Sequence, residues 1–285
     1  MAAENVEPVV MGVINVTPDS FSDGGQWLDP AAAIAHGQRL VAEGAQILDV
    51  GGESTRPGAE PVSEAEELRR VIPVLEGLAD SGARLSIDTS KAAVAHAAVR
   101  AGATIINDVT ALRGDPAMVA EAGGGANGCD VCILVLMHML GDPRTMQSDP
   151  HYDDVVSEVK AFLAERMAFA VAEGVDEERI WLDPGIGFGK TVDHNLELLR
   201  RLDELTDLGR PIVIGTSRKS FLGAITGRGV QERLPGTMAT NVLALARGAS
   251  VFRVHDVAPV AEALAVAAAT LSGRWNPATT KSATR

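Results

Sequence analysis

Polar side chains that could bind a small molecule follow several short apolar runs of this sequence. Asp88, Asn107 and Asp183 each stand at or near the end of such a run, and Lys219 follows another. Carboxylates and an amide can bind the N–H groups of a flat heterocycle, and an ammonium adds a further donor. Taken singly, Asp88 or Asp183 fits the ordinary role of capping the next helix. Because polar residues recur after nearly every apolar run, we interpret the set as a binding site.

A second group of residues could bind phosphate. Arg56, Arg253 and His255 supply donors, and arginine can offer two parallel N–H groups to one phosphate. Ser217, Arg218 and Lys219 could form a solvated turn, but an apolar run that stops abruptly at two cations favours a site. An aminated heterocycle that carries phosphates would suit both groups.

The segment 185–190 reads Gly-Ile-Gly-Phe-Gly-Lys. It resembles a phosphate-binding loop but lacks the full spacing of the dinucleotide and P-loop motifs. We therefore predict that its glycines let the backbone approach a ligand and direct Phe188 across the mouth of the site.

Three further residues with reactive side chains are predicted to be structural. Cys129 and Cys132 form a lone C-x-x-C pair without the additional ligands of a zinc site. The pair opens an apolar run, so two reduced thiols beside a buried strand are expected. His138 is expected to be a core residue with its hydrogen bonds satisfied.

Short runs rich in Val, Ile and Leu alternate with longer segments of helical periodicity. The runs are nearly continuously apolar, as in parallel strands that are covered on both faces. Eight such runs predict an α/β fold, a single (β/α)8 TIM barrel with its active site at the C-terminal ends of the strands. The predicted strands are 9–16, 46–51, 84–88, 103–109, 131–138, 180–183, 211–216 and 251–255.

Helix start and stop signals support this organisation. Asp29 followed by Pro30 predicts the start of a helix over 31–43, and Ser63 is predicted to cap a helix that ends at Ala79. Two more helices are predicted over 152–173 and 234–247, each followed by glycine. With no linker along the chain, one domain is predicted over 9–272, with flexible termini at 1–8 and 273–285.

Composition excludes several classes of protein. The 285 residues are 46% hydrophobic and carry a net charge of −13, which disfavours nucleic acid and anionic membranes as partners. The longest apolar run is the length of a strand, and the N-terminus carries acids where a secretory signal carries bases. A cytoplasmic protein is expected.

Eight motifs resemble those of the dihydropteroate synthases and follow one another in the same order. The first is Met-Gly-Val-Ile-Asn-Val-Thr-Pro-Asp-Ser-Phe-Ser-Asp-Gly-Gly at 11–25, and the second is Gly-Gly-Glu-Ser-Thr-Arg-Pro-Gly at 51–58. The others lie at 86–89, 106–109, 136–139, 182–191, 215–223 and 253–256. The resemblance covers the chain from Val10 to about Leu271.

This resemblance implies a transferase of folate biosynthesis. Such an enzyme joins p-aminobenzoate to 6-hydroxymethyl-7,8-dihydropterin diphosphate and releases diphosphate in an SN1-like step assisted by Mg2+. It also implies inhibition by sulfonamides, which compete for the aminobenzoate site, and a homodimer.

Residue roles are implied position by position. The pterin would be held by Asp88, Asn107, Met137, Asp183, Phe188 and Lys219. The diphosphate would bind Asn15, Arg56, Arg253 and His255, with Asn15 also at the metal. The p-aminobenzoate pocket would comprise Phe21, Thr55, Pro57, Phe188, Ser217 and Lys219. The catalytic residues would be Asp19, Arg56, Asp183 and Lys219.

Two other functions remain open at this point. A pterin-dependent corrinoid methyltransferase shares the barrel but has no use for a diphosphate clamp such as Arg56, Arg253 and His255. A catalytically silent pterin-binding paralogue could lose the closing loops, yet Asp19 and Phe21 are present here.

Overall fold

The computed structural model describes residues 7–17, 29–56, 58–123 and 132–274. Most of the two termini that were predicted to be flexible lies outside these residues. The strands are β1 Val9–Asn15, β2 Ile47–Gly51, β3 Arg84–Asp88, β4 Ala103–Asp108, β5 Ile133–Met137, β6 Ile180–Asp183, β7 Val213–Ile214 and β8 Val251–Val254. The helices are α1 Pro30–Ala42, α2 Glu64–Leu78, α3 Ala92–Arg100, α4 Met118–Ala122, α5 Val155–Ala172, α6 Val192–Arg200, α7 Asp203–Thr206, α8 Ser220–Thr226, α9 Leu234–Ala246 and α10 Val257–Ser272.

All eight strands belong to one parallel sheet that closes on itself. Their order is β6-β5-β4-β3-β2-β1-β8-β7, so the first strand pairs with both β2 and β8. A parallel bridge between Leu182 and Ile212 joins the two ends of this order. The predicted (β/α)8 barrel is therefore confirmed, and each strand lies within its predicted run.

Local signals set most of the helix boundaries. The Asp29 side chain accepts a hydrogen bond from the Ala31 amide at 2.9 Å, with Pro30 in the first turn. Ser63 caps α2 by accepting from the Glu66 amide at 3.3 Å. Helix α5 begins after Asp154, three residues later than predicted, because the Asp154 carboxylate binds the amides of Val156 and Ser157.

The strands pack two kinds of side chain inside the barrel. Near the N-terminal ends a buried apolar cluster contains Met11, Ile47, Ile105, Val135, Trp181, Val213 and Val251. Because side chains alternate along a strand, the residues two positions further on also point inward. On β2, β4, β6 and β8 these are Asp49, Asn107, Asp183 and Arg253. The apolar layer thus supports a polar layer at the C-terminal ends.

The outer face of the sheet forms a larger core with the helices. Leu40 of α1 is 1% exposed and belongs to this cluster together with Ile14, Leu48 and Leu78. No helix in the described part of the chain is long and apolar enough to cross a membrane.

The expectation of two reduced thiols is wrong. Cys132 is disulfide-bonded, while Cys129 lies outside the described residues. Cys132 itself is fully buried at the entry to β5, as predicted.

Shortening a buried side chain of the outer core should lower the free energy of unfolding. We expect Leu40→Ala to lower the free energy of unfolding by about 2–5 kcal/mol, since a buried leucine leaves a cavity between α1 and the sheet. Urea denaturation at equilibrium measures this change. The matched control is Leu196→Ala on α6, where the side chain is 41% exposed and the loss should be below about 1 kcal/mol. Equal losses for the two variants would contradict the assigned packing.

Candidate active site

A cleft of about 460 Å³, open to solvent, lies over the C-terminal ends of the strands. Its walls contain Thr55, Asp88, Asn107, Val109, Met137, Asp183, Ile186, Phe188, Gly215, Ser217, Lys219, Arg253 and His255. The structure therefore brings most of the predicted site residues together. Asn15 and Arg56 are not among these wall residues. Asp19, Phe21 and Pro57 lie outside the described residues.

Arg253 binds two carboxylates inside the barrel. Its Nε lies 2.6 Å from Oδ2 of Asp49, and its Nη2 lies 2.7 Å from Oδ2 of Asp88. The Nδ2 of Asn107 donates to the same Asp49 oxygen at 3.1 Å. These bonds engage Nε and Nη2 of Arg253, and the residue, which was predicted to bind diphosphate, also lines the cleft. The arginine therefore orients Asp88 and joins β2, β3 and β8.

The charges of Arg253, Asp49 and Asp88 stabilise one another inside the barrel. Burial disfavours the charged guanidinium, but Asp49 and Asp88 outweigh that effect and raise the pKa of Arg253. Burial raises the pKa of Asp88, and Arg253 opposes part of that rise. An ion pair withdrawn from water needs both partners, so removal of either carboxylate would leave an uncompensated charge.

Asp183 faces the cleft from the end of β6. Its Oδ1 accepts the Gly185 amide at 2.7 Å, which fixes the carboxylate after the strand. Burial raises the pKa of Asp183, while the Gly185 amide and then Lys219 oppose the rise. The Lys219 ammonium lies 3.9 Å from the centre of the Phe188 ring, a cation–π contact. The pocket thus offers a carboxylate, an ammonium and an aromatic face side by side.

Ser217 and His255 also line the cleft. The Ser217 hydroxyl lies 3.0 Å from Nδ1 of His255 and accepts the His255 amide at 3.2 Å. Burial, followed by the charges of Arg253 and Arg218, lowers the pKa of His255 to about 3. His255 is therefore neutral near pH 7 and can serve a phosphate as a hydrogen-bond donor rather than as a cation.

The turn between Ser217 and Lys219 is held in a strained backbone conformation. Arg218 has a φ of +59°, a left-handed geometry that costs free energy for a residue with a side chain. Its guanidinium binds both carboxylate oxygens of Asp256 at 2.6 and 2.9 Å, and its carbonyl accepts from Arg233 at 3.0 Å. Arg218 therefore fixes the turn that places Ser217 and Lys219 at the cleft.

The glycine segment 185–190 packs closely against the residues that follow β5. Gly185, Gly187 and Gly189 all have positive φ, and a side chain at Gly185 or Gly189 would meet His138 or Leu140. Phe188 lines the cleft, as predicted. The backbone of the segment is bound by Gln147, Tyr152 and Asn195 from elsewhere in the fold and by Lys190 at its own end.

Sequence reasoning missed Asp49, and Asp108 beside Asn107 does not face the cleft. Asp49 lies within an apolar strand, and only the alternation of side chains along β2 would have placed it inside the barrel. Asp108 instead binds the amides of Thr110 and Leu112 at 2.8 and 2.7 Å. Those bonds hold the turn at Ala111 and Leu112, both of which have positive φ.

The described residues offer few ligands for a metal ion. No cluster of three or more His, Cys, Asp or Glu ligands occurs in the described ranges. Asn15, at the end of β1, offers one amide oxygen. Mg2+ commonly binds through few protein ligands together with substrate phosphates, so this donor set fits an ion carried by a diphosphate.

The fold and the cleft define a class of enzyme. A parallel barrel carries a pocket for a heterocycle at the C-terminal ends of its strands, and residues 11–255 match the family described as "Pterin binding enzyme". The dihydropteroate synthase of Escherichia coli K12 is 47% identical over 270 residues, which is 94% of each chain.

Three solved structures resemble this one closely. The Yersinia pestis dihydropteroate synthase in a sulfonamide complex has a TM-score of 0.88 and 44% identity, covering 94% of this chain and 96% of that one. The Xanthomonas albilineans enzyme with 4-aminobenzoic acid has a TM-score of 0.85 and 50% identity, covering 93% of each chain. The same enzyme with 7,8-dihydropteroate has a TM-score of 0.81 and 47% identity, covering 93% and 94%. The chain belongs to the dihydropteroate synthase family of transferases.

The neutrality of His255 can be tested by titration. The imidazole resonances of His255, assigned with a His255→Gln variant, should stay unchanged in an NMR titration from pH 8 to pH 5. The unfolded chain binds a proton at this residue below about pH 6.5 and the folded chain does not, so stability should fall as the pH drops below 6.5. The variant should show a shallower loss of unfolding free energy over that range. A midpoint near 6.5 for His255 would refute the assignment.

Proposed function

We propose that this enzyme condenses 6-hydroxymethyl-7,8-dihydropterin diphosphate with p-aminobenzoate to give 7,8-dihydropteroate and diphosphate. The observation that carries the proposal is the pairing of Asp88, Asn107 and Asp183 with Lys219 and Phe188 around one cleft. This set matches a pterin ring in hydrogen-bonding groups and in its aromatic wall. The corrinoid methyltransferase alternative has no comparable support.

The pterin binds in the deep part of the cleft. Asp88, Asn107 and Asp183 bind its polar edge, while Met137 and Phe188 pack against the ring. Asp183 also carries the main electrostatic role, because loss of diphosphate in an SN1-like step leaves a cationic pterin methylene. A carboxylate already fixed by the Gly185 amide stabilises that charge without reorganisation.

Diphosphate leaves toward the rim of the cleft. Arg56 and His255 donate to its oxygens, and Arg253 contributes positive potential from its position between Asp49 and Asp88. Asn15 would hold a Mg2+ ion that arrives with the diphosphate. When bound, that ion supplies charge neutralisation at the leaving group.

p-Aminobenzoate enters between Thr55, Phe188, Ser217 and Lys219, which share one side of the cleft. Lys219 binds its carboxylate end, and the aryl amine then attacks the pterin methylene. The same residues would bind a sulfonamide, whose aryl amine and sulfonyl group resemble the substrate. Asp19, Phe21 and Pro57 complete this side in the proposal, with closure of their loops excluding water.

We further propose that two copies associate through an apolar face of α9 and α10. Leu243 is 59% exposed, Val266 is 68% exposed and Leu271 is 51% exposed, an arrangement that is unfavourable in water. A groove between the helices is lined mainly by aliphatic residues such as Met238, Val242 and Ala263. A second copy of the same face, related by a twofold axis, would cover these side chains.

The reaction itself is the first test. Purified protein with the dihydropterin diphosphate, p-aminobenzoate and Mg2+ should form 7,8-dihydropteroate and diphosphate, detected by chromatography and a diphosphate assay. Asp183→Asn should reduce kcat/KM by about 100-fold or more, since a neutral amide stabilises the pterin cation poorly. Asp80→Asn, at an exposed aspartate near the end of α2, is the matched control.

Each outcome of this assay decides between functions. Wild-type turnover that a sulfonamide suppresses supports the proposal. Binding of the pterin without turnover in a folded sample would favour the silent paralogue. Near-normal turnover by Asp183→Asn would remove the role assigned to that carboxylate.

The dimer is tested by its mass in solution. Sedimentation velocity should give a species of about twice the chain mass, and Val266→Glu should shift it toward the monomer, since a carboxylate would be buried in the apolar interface. Leu196→Glu is the control, because Leu196 is an exposed aliphatic residue on α6. A wild-type monomer at micromolar concentration would overturn the proposal.

A further inference from the structure

Lys190 is a buried lysine that the proposed chemistry leaves without a role. Only 3% of the residue is exposed, although lysine is seldom buried without a partner. Its Nζ lies 2.8 Å from Nδ1 of His138 and donates to the Phe188 carbonyl at 3.0 Å. One amino group thus links the end of β5 to the backbone of the residue whose ring lines the cleft. Burial lowers the pKa of Lys190 to about 7, and both the protonated and the neutral amine carry N–H groups that can donate to the Phe188 carbonyl.

The chemistry of His138 suits this contact. Burial, followed by the charges of Lys190 and Arg113, lowers the pKa of His138 to about 2. The imidazole is therefore neutral, and its Nδ1 can accept a hydrogen bond when the proton resides on Nε2. The His138 amide in turn donates to the Asp183 carbonyl at 2.9 Å. The imidazole packs nearly perpendicular to the Phe162 ring, with the two ring centres 4.8 Å apart.

We propose that Lys190 is a positioning residue that fixes the segment 185–189, and through it the Phe188 ring, for recognition of p-aminobenzoate. This inference rests on the proposed function, since it assigns Phe188 to the aminobenzoate side of the cleft. Lys190 touches neither the cleft nor a substrate. It acts through His138 on one side and through the Phe188 carbonyl on the other.

The other restraints on this segment do not replace Lys190. Gln147 donates to the Gly187 carbonyl and Tyr152 donates to the Gly189 carbonyl, each at 2.8 Å. The Gly187 amide donates to Asn195 at 2.7 Å, and the Phe188 amide donates to the Gly185 carbonyl at 3.0 Å. None of these bonds reaches the Phe188 carbonyl, and the Phe188 ring lies 3.9 Å from the Lys219 Nζ. Without the Lys190 amino group, the Phe188 carbonyl would lose its buried donor, and the ring would be held less firmly beside Lys219.

The test compares matched substitutions at both partners. Lys190→Met keeps the length of the side chain but removes the donor, and His138→Leu removes the acceptor. His138→Asn retains an oxygen near the position of Nδ1. The control Lys160→Met replaces a lysine of α5 that pairs with Asp207 at the surface.

We expect Lys190→Met and His138→Leu to raise the KM for p-aminobenzoate, and the Kd of a sulfonamide on the pterin-bound protein, by about tenfold. That change corresponds to about 1.4 kcal/mol. The double variant should show much less than the product of the two single effects, because both act through one contact. His138→Asn and Lys160→Met should stay within about twofold of the wild type.

A merely structural role would give a different result. It would lower kcat through loss of folded enzyme and leave KM and Kd unchanged, and this outcome would overturn the proposal. Full additivity of the two substitutions would also overturn it.

A measurement without substrates separates this inference from the proposed function. Hydrogen–deuterium exchange of the free protein should become faster at 185–190 in Lys190→Met, with α10 unaffected. Unchanged exchange in that segment would refute the anchoring role even if the enzyme makes dihydropteroate. Faster exchange in a protein that makes none would instead leave the anchor intact and refute the proposed function.

Discussion

The ion pairs of Arg253 with Asp49 and Asp88 constrain the whole site. The two carboxylates come from adjacent strands, β2 and β3, while the arginine comes from β8, more than 160 residues along the chain. In the sheet, β8 lies beside β1, so Arg253 reaches across β1 to β2 and on to β3 along the inner face of the barrel. Breaking such a pair would leave a charge without compensation in a poorly solvated place, so the pairing of β1 with β8 and these ion pairs support each other. The orientation of Asp88 toward the cleft is thus fixed before any ligand arrives.

Local charge explains how an acidic protein can bind an anionic substrate. The chain carries −13 overall, but the cleft sets two acids, Asp88 and Asp183, against Lys219 and Arg253. Charges on the outer helices are screened over about 8 Å at physiological ionic strength, so they contribute little at the cleft. Burial lowers the pKa of Lys219 to about 8, which keeps its ammonium largely protonated near neutral pH. With Asp49 beside Arg253, three buried acids face two cations here, so the site is much nearer to neutral than the chain as a whole.

The sequence predicted those features that depend on local patterns. All eight strands, the caps Asp29 and Ser63, and the clustering of polar residues at the strand ends follow from periodicity and capping. Asp49 and Lys190 were missed for a common reason, because each acts on a partner that is distant in sequence. Asp49 reads as part of an apolar strand, and Lys190 reads as the polar end of a glycine segment. Their roles appear only when the pairing of the strands brings Arg253 and His138 beside them.

The cleft combines a rigid floor with a more exposed rim. On the floor, Asp183 is fixed by a backbone amide, and residues 185–189 are bound from several sides. At the rim, Thr55 is partly exposed and Arg56 is exposed on the segment after β2.

The base of that segment is nevertheless anchored. Lys91, just before α3, binds both Glu53 and the fully buried Glu67 of α2. A fixed base with an exposed tip allows Thr55 and Arg56 to change position without disturbing Asp88 three residues before Lys91. In the proposed reaction, the heterocycle would meet groups that are already ordered, whereas the leaving group and the second substrate would meet the more exposed Thr55 and Arg56. This division fits a reaction in which one substrate must stay fixed while diphosphate leaves and an amine takes its place.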